Sequence, residues 1–310
     1  MIESSLTHRG FRYHYQLTGG TRHRYAPTLF IGGAFQNMRS LRKFAEIFSA
    51  STDVILVDLP GSGASDSLPA SYGANFLADC VRRLLDHLEI EKANLIGVSF
   101  GTVVAHAAAQ IHTDLVDDLV LVGTMSRMDR RICRALRRAL AAMASNDMEA
   151  FTDRVCRVLL NYGKRDRIPQ FDRAERLLRV AISRMTGREI EQFRVNSQRL
   201  LVHRKLDMSR PLRPRTLVFT GEHDTVTMPA CCREVAATGV ETYCTVVHGG
   251  DHLVPLEQLG ACVNLVEMFL GGGPIEDVSG CASLERVGCL TDRRQEVTLQ
   301  DALAAPAGTA

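Results

Sequence analysis

Ala93-Asn94-Leu95-Ile96-Gly97-Val98-Ser99-Phe100-Gly101 decides the fold of this 310-residue chain. An apolar, strand-like run ends at Gly97. The helix-like stretch Val103 to Gln110 follows Gly101. Between them sits G-x-S-x-G, whose diagnostic context is strand, sharp turn, helix. Such a turn holds the central residue in a strained backbone conformation, and its neighbours must be small for helix and strand to approach. Gly97 and Gly101 provide that space. Ser99 is thereby singled out as a candidate nucleophile.

Working outward, short apolar runs ending in Gly recur along the chain. Thr28 to Ile31 ends in Gly32-Gly33-Ala34, Asp53 to Asp58 in Leu59-Pro60-Gly61-Ser62-Gly63, and Leu119 to Val122 in Gly123-Thr124. After a long gap, Thr216 to Thr220 ends at Gly221 and Tyr243 to Val247 at Gly249-Gly250. Continuous runs of this kind predict strands buried on both faces, hence a parallel sheet. Leu77, Val81, Leu84, Leu85 and Leu88 have helical spacing, as do Val263, Val266, Met268, Phe269 and Leu270. The βαβα order predicts an α/β fold, mostly parallel and doubly wound, with helices on both faces. Gly10 to Leu17 adds an expected antiparallel edge strand.

Met125 to Met208 breaks the alternation. Arg130–Met143, Asp147–Leu160, Glu175–Met185 and Arg188–Val202 all have helical spacing, and no good strand lies among them. The expectation is a core of residues 1–125 and 209–270, with a basic helical lid, 126–208, inserted after the sixth strand. The alternative is an Arg-rich solvated face without function. Past Gly271-Gly272-Gly273-Pro274 the chain turns polar, with a short helical pattern near Val297 to Ala304. Residues 271–310 read as a C-terminal tail outside the core, with the composition of a disordered segment.

A serine hydroxyl is a poor nucleophile near neutral pH. It needs an imidazole to take its proton and a carboxylate to orient the imidazole. Gly221-Glu222-His223-Asp224 and Gly249-Gly250-Asp251-His252 each follow a strand-like run, so Asp224 and His252 project where Ser99 does. Their chain order is Ser99, Asp224, His252. Oxyanion donors are expected from the backbone N–H groups of Phe100, after the nucleophile, and of Ala34, in the loop after Thr28–Ile31. A simple tight turn at Gly32-Gly33 is compatible with that role. Competing groups fit structural duties. His248 lies four residues before His252 and still on the strand. His223 should point away from the site. Asp251 cannot easily reach the neighbouring imidazole. His106 is expected to be packed. Asp58 should tie down the following loop through backbone N–H groups.

These residues, spread from about Arg9 to Leu270, resemble the α/β-hydrolase superfamily. Family members read Asp-x-x-Gly-x-Gly-x-Ser after the second core strand, and here Asp58-Leu59-Pro60-Gly61-Ser62-Gly63-Ala64-Ser65 matches. They usually carry His-Gly at the oxyanion loop, where this chain has Gly32-Gly33. That departure leaves backbone donors intact. The resemblance implies the α/β-hydrolase fold and a serine acyl enzyme. A narrower similarity runs through Gly33-Ala34, Asp224-Thr225-Val226-Thr227 and Asn146 to Phe151 through Phe193. It points to the hydroxyacyl-transfer branch, which includes rhamnolipid-precursor synthases and hydroxyacyl-carrier-protein transacylases. Those enzymes take acyl groups from acyl carrier protein or coenzyme A. Gly97-Val98-Ser99-Phe100-Gly101 itself is closer to ordinary esterases.

Charge bears on the partner. The chain carries a formal net charge of +2, yet Arg127 to Arg210 holds 21 Arg and Lys against 10 Asp and Glu, a local +11 that leaves −9 for the rest. A basic lid would steer an acidic carrier protein or a phosphate-bearing coenzyme A thioester toward Ser99. No recognisable nucleic-acid module accompanies the charge. The substrate class expected is therefore a small acyl ester or thioester, resolved by water or by a hydroxyl acceptor, with no cofactor or metal. Rivals are carbon–carbon bond or lactone hydrolysis on the same fold, and a non-catalytic small-ligand receptor that retains the triad. With 45% apolar and 23% charged residues, the composition is globular. No apolar run reaches the ~18 residues of a membrane span. The polar Met1 to Tyr15 lacks the apolar core of a secretory signal. Nine cysteines without a CxxC pair point to buried thiols in a reducing cytoplasm.

Overall fold

A computed structural model describes residues 1–273, 275, 278–282 and 284–288. The chain runs β1 (Ile2–His8), β2 (Phe11–Thr18), β3 (Thr28–Ile31), α1 (Met38–Phe48), β4 (Val54–Asp58), α2 (Ala74–His87), β5 (Ala93–Val98), α3 (Phe100–Ile111) and β6 (Val116–Val122). Four helices follow: α4 (Arg130–Ala144), α5 (Met148–Leu159), α6 (Phe171–Ser183) and α7 (Gly187–Val202). The alternation then resumes with β7 (Arg215–Gly221), α8 (Pro229–Ala236), β8 (Thr242–Val247), α9 (Val254–Glu257), α10 (Leu259–Leu270) and β9 (Glu285–Val287).

All nine strands form one sheet in the order β1-β2-β4-β3-β5-β6-β7-β8-β9. The six strands from β4 to β8 in that order pair in parallel. Their apolar runs are buried because both faces are covered. Leu77 of α2, Val104 of α3 and Val235 of α8 pack on one face, and Leu41 of α1 with Leu265 and Phe269 of α10 on the other. This is the α/β-hydrolase architecture, mostly parallel and doubly wound.

Two edges depart from the sequence expectation. The antiparallel segment near Gly10–Leu17 is not the edge: it is β2, and β1 pairs outside it. Arg9 and Gly10, both at positive φ (46° and 88°), make the two-residue turn that such a hairpin requires. Only Leu6 of β1 is buried, so this strand has no apolar run to betray it. At the opposite edge, the reading of 271–310 as a tail outside the core is corrected for its described part. Ile275 and Val278 are buried in the core, and β9 pairs antiparallel with β8. The physical reason is the otherwise open edge of β8, whose Val246 carbonyl accepts from the Ala282 N–H. The helical pattern near Val297 to Ala304, and residues 289–310 as a whole, lie outside the described residues.

Between β6 and β7 the helical segment has a small core of its own, with Phe151, Phe171, Leu178 and Phe193 buried. Its two ends close on each other: Arg127 and Lys205 form an antiparallel bridge. Helix α7 is tied to the loop after β4. Gln192 Nε2 donates to the Gly63 and Ser65 carbonyls, and Asn196 Nδ2 to Gly61. Arg199, only 3% exposed, donates to the Leu68, Pro69 and Tyr72 carbonyls. Helix α6 begins four residues before the Glu175 expected from spacing, and a short 3₁₀ turn, Tyr162–Arg167, precedes it. No helix among the described residues is long and apolar enough to cross a membrane.

The β5–α3 turn tolerates almost nothing added. A Cβ on Gly101 would stand 2.1 Å from the Ile31 carbonyl oxygen, which is backbone and cannot step aside. Gly101→Ala is expected to destabilise the protein by about 1–3 kcal/mol. Thermal unfolding checks this; an unchanged Tm would refute the packing argument.

Candidate active site

Ser99 occupies the residue between β5 and α3 with φ 49° and ψ −112°, the strained conformation its motif requires. Its own N–H donates to the Val122 carbonyl of β6, and Thr102 Oγ1 donates back to the Ser99 carbonyl at 2.6 Å. Asp224 and His252 arrive from the loops after β7 and β8. Ser99 Oγ lies 3.0 Å from His252 Nε2, and His252 Nδ1 lies 2.9 Å from Asp224 Oδ2. The structure thus brings together the three side chains singled out in sequence.

Asp224 is 3% exposed, and both of its carboxylate oxygens accept hydrogen bonds. Oδ1 accepts the Val226 and Thr227 N–H groups at 2.7 and 2.9 Å, and Oδ2 accepts Thr220 Oγ1 at 2.6 Å and Thr227 Oγ1. Burial opposes its ionisation, but the His252 charge and these donors hold the carboxyl at about 2. Burial likewise works against a charged His252, and the Asp224 charge and hydrogen bond outweigh it, so the imidazole's pKa is raised. The tautomer that results carries its proton on Nδ1, leaving Nε2 to accept from Ser99.

Gly33 packs against the nucleophile: a Cβ there would stand 3.4 Å from Ser99 Cβ. Ala34 follows it, and neither the Ala34 nor the Phe100 N–H donates to a protein acceptor among the described residues. Both residues line the cavity that opens on Ser99. That cavity measures about 160 Å³. Its walls are overwhelmingly apolar, with Met128, Ile132 and Leu136 from the α4 side, Val155 and Leu159 from α5, and Val226. Arg204 and Lys205 mark one end.

The competing groups sit elsewhere. His248 lies one residue past β8 rather than on it, half a side chain exposed beside Glu222 at 3.3 Å. Burial in α3 pushes His106 down to about 4. Asp58 accepts from the Met38 and Ala64 N–H groups, tying down its loop. Asp129 caps α4 through the Ile132 N–H. Among the described residues no cluster of three or more His, Cys, Asp or Glu could hold a metal ion, and the described cysteines are free thiols.

Three supporting residues escaped the sequence reading. Thr227, in an Asp-x-x-Thr turn, carries a local signal that could have found it. Asn161, past the end of α5, has none. Its N–H donates to Asp251 Oδ2 and its Nδ2 to the His223 carbonyl at 3.0 Å, so one residue of the helical segment grips the loops of both Asp224 and His252. Glu257, in α9, accepts the Asp251 N–H. Glu257 Oε1 and Asp251 Oδ1 are buried without a partner among the described residues.

Comparison with known proteins agrees with this geometry. Residues 27–259 match the family model described as alpha/beta hydrolase fold, and the chain belongs to that family of enzymes. A stretch of 98 residues is 33% identical to a poly(3-hydroxyalkanoate) depolymerase of Ectopseudomonas oleovorans, covering 32% of this chain and 35% of the relative. Another of 99 residues is 38% identical to a pimeloyl-(acyl-carrier protein) methyl ester esterase of Chromobacterium violaceum, covering 32% and 35%. The chain therefore spans about a third of the length of each of these relatives. Among solved structures, MGS-M2, an alpha/beta hydrolase from a Medee basin deep-sea metagenome library, superimposes with a TM-score of 0.73 at 18% identity. That match covers 86% of this chain and 97% of the other, a likeness of fold.

The buried carboxyls predict a pH dependence of stability. Burial raises Asp251 to about 6 and Glu257 from 4.5 to about 8. A raised acid keeps its proton when folded and releases it on unfolding, so its contribution is full below about 4.5 and is lost as pH rises toward about 8. Glu257→Gln should therefore lose less Tm than wild type between about pH 5 and pH 8. Parallel Tm curves would rule this out.

Proposed function

We propose that the protein is a serine acyl enzyme acting on an ester or thioester. The observation that carries this reading is the unbroken relay Ser99–His252–Asp224, whose Ser99 end lines an apolar cavity. Ser99 Oγ attacks the carbonyl carbon while His252 Nε2 takes its proton, and the carbonyl oxygen becomes an oxyanion between the Ala34 and Phe100 N–H groups. Collapse breaks the bond to the leaving oxygen or sulfur, which receives the proton from His252. Water or an alcohol then gives its proton to His252 and attacks the acyl-Ser99 ester; collapse breaks the acyl–Oγ bond, and Ser99 Oγ takes that proton back from His252, which frees the acid or new ester and regenerates the serine. Asp224 stays ionised throughout and stabilises the imidazolium.

The apolar walls suit the acyl chain, and α4 to α7 serve as a lid that excludes water from the ester. The local +11 of Arg127 to Arg210 favours a donor that is itself acidic: an acyl carrier protein or a coenzyme A thioester. The resemblance to hydroxyacyl-transfer enzymes points the same way. So do the two relatives, one named for a hydroxyalkanoate polyester and one for an acyl-carrier-protein ester. Free thiols fit a cytoplasmic setting.

Ser99→Ala is expected to fold normally and to lose about 10⁴–10⁶-fold in turnover. Asp224→Asn should lose on the order of 10⁴-fold by stabilising the wrong imidazole tautomer. A screen of acyl-CoA, acyl-carrier-protein and simple esters, with products identified by mass, reads both. Activity within about tenfold of wild type in Ser99→Ala would overturn the assignment.

The pH profile is a separate test. His252 must be neutral to accept the serine proton, and its pKa is raised above 6.5. Activity should thus fall on the acid side with a midpoint above that value. An acid limb centred well below 6.5 would show that another base is at work.

A further inference from the structure

A second cavity adjoins the first. It measures about 650 Å³ and lies between the loop after β3, the start of α1 and the α6–α7 corner. Ala34, Phe35, Phe100 and Phe193 line both cavities. Phe35 and Phe193 stack at 4.6 Å between centroids and form the partition. Both groups proposed as oxyanion donors therefore stand at the junction. A carbonyl seated there can direct one substituent into each space.

The two spaces differ in chemistry. The first is apolar except at the end marked by Arg204 and Lys205. The second is lined by polar side chains, among them Asn37, Ser62, Thr186, Gln192 and Asn196, whose donors are already spent on protein oxygens. It also presents four arginines, Arg39, Arg42, Arg184 and Arg188. Three acids share the lining, but each is engaged. Asp58 is buried and accepts from two backbone N–H groups. Glu3 pairs with Arg42 at 3.7 Å. Glu189 caps α7 through Thr186 and accepts Asn37 Nδ2. Arg188 donates to the Ala64 carbonyl. Arg39 and Arg184 are exposed and have no carboxylate partner among the described residues.

From this we propose that the second cavity binds the leaving group, and that this group is an amide-containing arm ending in a phosphate: the phosphopantetheine shared by coenzyme A and acyl carrier proteins. The inference deepens the reading of Ser99 as an acyl-accepting nucleophile and rests on it for the direction of the carbonyl. A short neutral alcohol would leave the arginines and most of the 650 Å³ unused. A phosphate meets the arginines with charge-assisted hydrogen bonds, and the arm's amide N–H groups lie against a polar lining whose oxygens can still accept.

The test separates binding from turnover. Ser99→Ala protein is titrated calorimetrically with phosphopantetheine and with pantetheine, at low and high salt. Phosphopantetheine should bind at least about tenfold more tightly, and the advantage should shrink at high salt. Adding Arg39→Glu and Arg184→Glu should erase the difference. Equal affinity for the two probes, or a difference that survives both substitutions, overturns the proposal. In the kinetic arm, the Arg39→Glu/Arg184→Glu enzyme should lose at least about fivefold more kcat/KM on an acyl-CoA or acyl-carrier-protein thioester than on the matching N-acetylcysteamine thioester. Loss on only one of the two assigns the source of the arm; equal loss on all three refutes the site. If wild type turns over no ester or thioester while the phosphate preference persists, the catalytic reading fails and the binding site stands.

Discussion

Everything at the site depends on the backbone of Ser99. With φ at 49°, the chain reverses from β5 into α3 within a single residue. The reversal is possible only because three backbones approach without side chains between them. A Cβ on Gly97 would meet the Gly101 carbonyl at 2.7 Å, and one on Gly101 would meet Ile31 of β3. That last contact is the consequential one. It presses the start of α3 against the end of β3, so the loop carrying Gly33 and Ala34 is set beside the Phe100 N–H. The strain in one residue thus both presents the hydroxyl and sets beside it the two backbone N–H groups proposed as oxyanion donors. Its cost is met by the hydrogen bonds at Val122 and Thr102 and by the buried sheet below.

A second constraint fixes the helical segment over this turn. On one side α7 is held by Gln192, Asn196 and Arg199, all of which donate to backbone carbonyls of residues 61–72. A buried guanidinium with carbonyl partners is costly to expose and costly to strip of its acceptors, so this side is an anchor. On the other side Asn161 grips the loops of Asp224 and His252. The helical segment therefore touches the triad through the backbone of its supporting loops. A shift of α5 would be felt at the acid and the base together.

The parts legible in sequence are those where local chemistry and position along the strand coincide. Ser99 was legible because glycine spacing, an apolar run and a helical run meet within a few residues. Asp224 and His252 were legible because each follows Gly at a strand end. Strands β1 and β9 were not. They are edge strands whose pairing is supplied by β2 and β8, so they need no apolar alternation of their own. Glu257 and Asn161 were not legible either, because their roles arise from partners distant in the chain or from burial that composition does not disclose. The partition between the cavities belongs with them, since Phe35 and Phe193 become neighbours only when α7 docks.

That partition bears on how the proposed acyl substrate would be oriented. A carbonyl seated at Ala34 and Phe100 could in principle be entered from either side, with the acyl chain in one space and the leaving group in the other. Placing a phosphate among Met128, Ile132 and Leu136, away from Arg204 and Lys205 at the cavity's end, would desolvate a charge without a partner, a penalty of several kcal/mol. Placing an alkyl chain among the arginines would forgo about 0.8 kcal/mol for each methylene left in water. The two terms have the same sign and add for a substrate that carries both groups. Orientation is then selected by the ends of the molecule, before the carbonyl reaches Ser99. A neutral ester with two alkyl arms lacks the first term and is held in register by the second alone. On this view the paired cavities discriminate by polarity along the substrate, and the triad between them needs no specificity of its own.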